Sequence, residues 1–195
     1  MSELRARKIK LILFDVDGVL TDGSIWLFPP NAASPPAKEA GPQEGATVTQ
    51  NMVEVKGFHT HDGTGFWLAR LAGLQTGLVT SRCSETVKLR ARDLRIDHVL
   101  QGISDKHTAF QKLLQKTGLA ADEVAFAGDD LVDLPVMREC GLAITVPNAR
   151  EDVKDEAHLI TDRPGGQGAG RDAIEYILRA QNKLDAAKEA YLRRA

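Results

Sequence analysis

An apolar run that ends on two carboxylates constrains this chain more than any other feature. Ile9 to Phe14, interrupted by Lys10, reads as a strand, and it delivers Asp15 and Asp17 within LILFDVDGVLTDG, residues 11–23. Carboxylates held together at the end of a buried strand repel one another and lose hydration, so a fold keeps them only with a compensating partner. A strand ending in DxDG without such a partner only wastes stability, and Asp15 and Asp17 therefore have no good structural role. Asp22, further into the loop, reads as a turn or cap residue.

The remainder of the chain alternates. Strands are expected at Ile9–Phe14, Thr76–Thr80, His98–Leu100, Val124–Ala127, Leu142–Val146 and His158–Thr161. Helical patterns fall at Phe66–Leu71, at Ser84–Leu94 from a capping serine, at Ser104–Lys116, at Leu134–Cys140 and at Arg171–Leu192. This alternation predicts an α/β fold, a doubly wound, Rossmann-like parallel sheet with helices on both faces. Ligands of such sheets sit beyond the carboxyl ends of the strands. Asp15, Asp17, Thr80, Asp129 and Asp130 all converge on that edge.

One segment breaks the alternation. PPNAASPPAKEAGPQEGA, Pro29 to Ala46, has no apolar period and reads as a mobile loop. Its flanks, Ser24–Phe28 and Thr47–Val55, read as the strands of a hairpin. The expected organisation is one domain over residues 1–195. It carries an inserted hairpin flap at 24–55 with a Pro/Ala-rich tip at 29–46, and a glycine-rich segment and terminal helix at 165–195.

Composition narrows the classes. With 195 residues, 43% hydrophobic and 27% charged, the chain can build a core without disulfides or a structural metal. A net charge of −2, with basic residues scattered among acids, argues against a nucleic-acid partner. No apolar run approaches the ~18 residues of a membrane span. Cys83 and Cys140 lie far apart, without metal-ligand spacing, and read as thiols in a reducing compartment. The expected location is cytoplasmic.

Asp15, Asp17, Asp129 and Asp130 form an all-oxygen set, which suits a hard cation. Mg²⁺ takes few carboxylates together with water and a phosphate. A phosphate then needs donors: Lys106 at a helix start, the Thr80 hydroxyl, and N–H groups after Asp15. A carboxylate beside Mg²⁺ and phosphate can act as a nucleophile. Read alone, Lys106 is a solvated lysine and Thr80 an ordinary strand end. Asp133 precedes a helix containing Pro135 and fits an N-cap equally well. FHTHDG offers His59, His61 and Asp62 to zinc only if a distant ligand joins them. Gly165, Gly166, Gly168 and Gly170 mimic a dinucleotide fingerprint, but no βαβ unit follows them.

In order and spacing these motifs resemble the haloacid dehalogenase superfamily of phosphotransferases: DVDG, GLVTSR, the lysine of SDKHTAF, and GDDLVD. GVLTDG, FHTHDGTG, LQGISDK and GGQGAGR extend the resemblance to the 3-deoxy-D-manno-octulosonate 8-phosphate phosphatases, which lack a large cap domain. The resemblance covers nearly the whole chain except the loop at 29–46. It implies Asp15 as nucleophile and Mg²⁺ ligand, and Asp17 as general acid and base that also ligates Mg²⁺ through its carbonyl. Thr80 and Lys106 would hold the phosphoryl group, Asp129 would complete the metal ligands, and Asp130 and Asp133 would orient metal waters and Lys106. Ser81, Arg82, His61 and Asp62 are the remaining candidates for substrate binding, although the family often has Arg where His61 stands. The resemblance also implies a homotetramer whose tail, over Gly165–Arg171, reaches a neighbour's site.

The expected activity is therefore a Mg²⁺-dependent hydrolysis of a small sugar-acid phosphate. The eight-carbon 8-phosphate is the leading substrate, and a nine-carbon sugar-acid 9-phosphate is the alternative. A phospho-accepting signalling domain would carry its aspartate after the third strand rather than the first. A silent scaffold would have little reason to keep Asp15, Asp17, Thr80, Lys106 and Asp129 together.

Overall fold

The computed structural model describes residues 1–29 and 52–193. Its central sheet is six-stranded and wholly parallel. The strands are β1 (Leu11–Phe14), β4 (Gln75–Val79), β5 (His98–Leu100), β6 (Val124–Ala127), β7 (Leu142–Thr145) and β8 (Leu159–Ile160). Between β1 and β4 a separate antiparallel pair, β2 (Trp26–Phe28) and β3 (Val53–Val55), forms the base of the flap. The helices are α1 (Ser2–Ala6), α2 (Thr60–Leu71), α3 (Glu85–Leu94), α4 (Lys106–Thr117), α5 (Leu134–Met137), α6 (Glu151–Glu156), α7 (Ala169–Ala180) and α8 (Leu184–Leu192).

The strand order is β5-β4-β1-β6-β7-β8. The chain winds outward from β1 to β5, returns to the far side of β1 and winds outward again. Counting only these strands, that is the 3-2-1-4-5-6 order of a doubly wound sheet, and its switch point lies between β1 and β6. Helices α1, α2, α7 and α8 pack as one group and α4, α5 and α6 as another, as right-handed crossovers running in opposite directions require. The sequences LILF, VAFA and LAIT of β1, β6 and β7 are buried along their whole length, as strands covered on both faces must be.

Several boundaries differ from the periodicity. The first helix of the core starts six residues before Phe66, because His59 caps it: its Nδ1 accepts the His61 N–H at 3.2 Å. Ser84 stands at the N-cap of α3, but its hydroxyl makes no cap bond. The cap of α4 is Asp105, whose carboxylate accepts the Thr108 N–H at 2.9 Å. The expected terminal helix is two helices, α7 and α8, broken where Asn182 adopts a left-handed φ of 55°. An apolar stripe carries across such a break, so periodicity alone merged the two helices. Of the predicted flap, residues 30–46 of the tip and 47–51 of the returning strand lie outside the described residues.

Candidate active site

The switch point places Asp15 and Asp129 side by side, because β1 and β6 are adjacent and in register, with Phe14 opposite Ala127. The Asp15 N–H continues the ladder to the Ala127 carbonyl at 2.8 Å. Gly18, the glycine of DxDG, has φ +92°, and a Cβ there would collide with the Asp129 carboxylate. Gly128, which starts GDD, has Asp133 in the same relation, and the buried Thr145 hydroxyl donates to its carbonyl at 2.7 Å. Gly18 therefore serves both turning and close approach, and Gly128 close approach alone.

Lys106, the first residue of α4, is 3% exposed. Its ammonium lies 2.9 Å from Asp15 Oδ1 and 2.7 Å from Asp133 Oδ1. The other oxygen of Asp133 accepts the N–H groups of Asp129 at 3.0 Å and Asp130 at 3.3 Å. Asp133 is thus fully engaged in holding Lys106 and the loop after β6, and its side chain makes no cap to α5. Asp130 is exposed and accepts the Leu131 N–H at 2.8 Å; it does not reach Lys106. Thr80 is buried behind β4, its N–H bonded to the Leu100 carbonyl, and its hydroxyl accepts the Arg82 N–H at 3.3 Å. Ser81 is half-buried beside it. Asp22 accepts the Ser24 N–H at 2.8 Å, the turn role read from the sequence.

The electrostatics are unbalanced. Carboxylate oxygens of Asp15, Asp129 and Asp133 lie within 4.8 Å of one another, with one ammonium among them. Burial pushes the Asp15 carboxyl up to about 6, against the pull of Lys106. Burial, with Asp15, Asp133 and Asp130 close by, pushes Asp129 up to about 7. Burial alone would lower Lys106, but Asp15 and Asp133 outweigh it and hold the ammonium above the ordinary lysine value. A divalent cation fits this excess of negative charge, and the donor set is all oxygen. Asp15 and Asp129 are its natural ligands, since the Asp133 oxygens are already committed. Among the described residues, His59, His61 and Asp62 form no comparable ligand group: His59 Nδ1 is spent on its cap, and His61 is exposed against the His59 ring.

Asp62 is placed away from this cluster. It is 3% exposed, and its Oδ1 accepts the Arg171 N–H at 2.8 Å, so it caps the first turn of α7 from α2. Part of the glycine-rich segment packs on the chain's own loop after β1. A Cβ on Gly165 would collide with the Gly18 carbonyl, and one on Gly166 with the backbone of Thr21 and Asp22. Asn148 joins the two loops, donating to the Gly18 carbonyl at 3.0 Å and accepting the Gly165 N–H at 2.7 Å. Only a glycine pair permits that backbone approach, so Gly165 and Gly166 line the chain's own loop after β1.

Sequence reasoning missed Lys56 and Glu54. Lys56, just past β3, has a side chain 0% exposed, and its ammonium pairs with Asp17 Oδ1. Glu54, within β3, accepts Arg82 Nη2 at 2.6 Å and lies 3.5 Å from Lys56. Arg82 Nε faces Asp17 Oδ2 at 4.0 Å. In VEVKG these residues look like the polar positions of an alternating strand. The one available signal was their place at the foot of a flap that follows DxD.

A family model of haloacid dehalogenase-like hydrolases matches residues 80–168. The chain is 36% identical over 184 residues to the 3-deoxy-D-manno-octulosonate 8-phosphate phosphatase of Escherichia coli K12, covering 94% of this chain and 87% of that protein. The Yersinia pestis phosphatase of the same name is 34% identical over 183 residues, with 94% and 87% covered. Among solved structures, the Moraxella catarrhalis 3-deoxy-D-manno-octulosonate 8-phosphate phosphatase, in complex with a magnesium ion, a phosphate ion and a KDO molecule, superposes with a TM-score of 0.82. It is 35% identical, with 97% of each chain covered. The cobalt-bound phosphatase from Haemophilus influenzae gives a TM-score of 0.77 at 31% identity, covering 93% of this chain and 94% of that one.

Proposed function

We propose, from the premise that this chain belongs to the 3-deoxy-D-manno-octulosonate 8-phosphate phosphatase family of haloacid dehalogenase-like hydrolases, that it is a Mg²⁺-dependent phosphomonoesterase. Its substrate in this reading is a sugar-acid phosphate, most simply the eight-carbon 8-phosphate. The observation that carries the proposal is the excess of carboxylate over ammonium at the switch point, where Asp15 and Asp129 are both pushed far above the usual carboxylate range.

Asp15 attacks phosphorus, the bond to the sugar oxygen breaks, and Asp17 gives its proton to that oxygen. Asp17 then takes a proton from water, which attacks the aspartyl-phosphate on Asp15 and releases phosphate. Lys106, fixed by Asp133, faces the phosphoryl oxygens together with the Thr80 hydroxyl and offsets the charge that moves onto them. Mg²⁺, held by Asp15, Asp129 and the Asp17 carbonyl, would supply the remaining neutralising charge. Arg82, partly exposed beside Asp17 and Glu54, would suit a carboxylate-bearing leaving group.

The exposed faces of Trp26, Phe28, Val53 and Val55 on β2 and β3 support a homotetramer that buries the flaps against one another. Among the described residues no helix is long and apolar enough to cross a membrane, which agrees with a cytoplasmic enzyme. A phosphate-release screen over sugar phosphates, with Mg²⁺ and with chelator, tests the reading. Mg²⁺-dependent turnover selective for a sugar-acid phosphate is expected, and full activity in excess chelator would overturn it.

A further inference from the structure

We propose that Lys56 is a positioning residue for Asp17, so that the flap sets the geometry of the acid–base group. The proposal rests on the reading of Asp17 as general acid and base. Lys56 lies one residue beyond β3, and its side chain is 0% exposed although the flap strands are exposed. A buried ammonium is costly to keep, and this one is committed to carboxylates: Asp17 Oδ1, and Glu54 Oε1 at 3.5 Å. Glu54 in turn accepts Arg82 Nη2 at 2.6 Å, and Arg82 Nε, buried and without another partner, faces Asp17 Oδ2 at 4.0 Å. Asp17, Lys56, Glu54 and Arg82 therefore close a ring of alternating charge in which both oxygens of Asp17 face cations. The ring joins the loop after β1, the foot of the flap and the loop after β4. Thr86 of α3 adds a further tie, its hydroxyl donating to the Glu54 carbonyl at 3.4 Å.

The ring bears on one part of the reaction. When Asp17 passes its proton to the leaving oxygen, negative charge appears on a carboxylate that already faces a fixed ammonium, with no reorganisation required. Its orientation toward that oxygen is also held by two cations on separate elements. The benefit is large where the leaving group needs a proton and small where it does not. An alkyl alkoxide needs one, whereas a dinitrophenolate leaves without help. A merely structural ion pair would affect both alike.

The test compares the Mg²⁺-loaded full-length enzyme on 3-deoxy-D-manno-octulosonate 8-phosphate and on 2,4-dinitrophenyl phosphate. Lys56→Met should lower kcat/KM on the sugar phosphate by about 10²-fold, the scale of a misplaced catalytic group. It should lower kcat/KM on the aryl ester by less than about threefold, because no proton is needed when that leaving group departs, while hydrolysis of the aspartyl-phosphate, shared by both substrates, enters kcat alone. Lys56→Arg should recover part of the loss. Equal losses on both substrates, or no loss on the sugar phosphate in a variant that melts like wild type, would overturn the proposal. If Lys56→Met does not fold, Glu54→Gln, which frees Lys56 from its second partner, should show the same contrast in smaller degree, and equal losses there overturn it too. Asp17→Asn is the control. A contrast in Asp17→Asn without one in the Lys56 variants removes only Lys56 from the mechanism. No contrast in Asp17→Asn removes the acid–base reading itself.

Discussion

The carboxylate of Asp129 occupies the space that a side chain on Gly18 would fill. The glycine of the first motif and the aspartate of the fourth are thus one packing unit, 111 positions apart in the chain by their numbering. Gly18→Ala should push Asp129 aside and, at φ +92°, strain the backbone as well. The expected result is a stability loss of about 1–3 kcal/mol with phosphate release reduced well beyond what that loss explains. Steady-state kinetics beside a urea melt checks this, and near-wild-type kcat would contradict the placement of Asp129.

Lys106 carries the only ammonium bonded to the Asp15 and Asp133 carboxylates among the described residues. Lys106→Met leaves those carboxylates buried and unpaired, which should cost about 3–5 kcal/mol in metal-free protein. Saturating Mg²⁺ should restore part of that stability but little activity, since a phosphoryl donor is also gone. Denaturant melts with and without Mg²⁺ separate the two effects.

The metal-free protein should lose stability as pH rises through neutrality. Asp15 and Asp129 have folded-state values raised from 3.8 to about 6 and about 7, so the folded state binds their protons more tightly than the unfolded chain. Their contribution is intact below about pH 4 and is lost as pH climbs toward 7. His98 and His158, both held below 6.5 mainly by burial, act in the opposite sense over part of that window. The difference between melting temperatures with Mg²⁺ and with chelator removes the histidines from the comparison. That difference should widen steadily from pH 5 to pH 7.5; a flat difference would mean that the carboxylates do not share the metal.

Asp62 should prove to be a cap. Asp62→Ala removes the acceptor for the Arg171 N–H and should cost about 1–2 kcal/mol, while KM for the sugar phosphate stays close to wild type. Asp62→Asn, which keeps an acceptor, should recover most of the stability. A large rise in KM with unchanged melting would return Asp62 to the substrate site.

The flap surface should govern assembly. Trp26 is 58% exposed on a two-stranded sheet, and Trp26→Glu should shift the protein toward smaller species in sedimentation velocity while leaving the monomer folded. An unchanged oligomer would place the interface elsewhere.

Much of the molecule was legible in the order of its residues, for a local reason. Burial of a strand on both faces demands an unbroken apolar run, so β1, β6 and β7 announced themselves, and each chemical motif sits in the turn directly after its strand. Asp15, Asp17, Thr80, Asp129 and Asp130 could therefore be expected at one edge from the sequence, with Lys106 at a helix start after the third expected strand. What the tertiary structure decided are relations between segments that carry no mark of their partners. The strand order seats Asp15 against Asp129; the glycine pair at 165–166 folds onto its own DxDG loop; Asp62 serves a helix that begins more than a hundred residues later. Lys56 is the clearest case. In an alternating strand a lysine reads as a solvated position, and only the path of the flap over the first loop makes it a buried ammonium against Asp17. Charge pairing depends on distances of a few ångströms between elements, and neither periodicity nor spacing in a single chain encodes those distances.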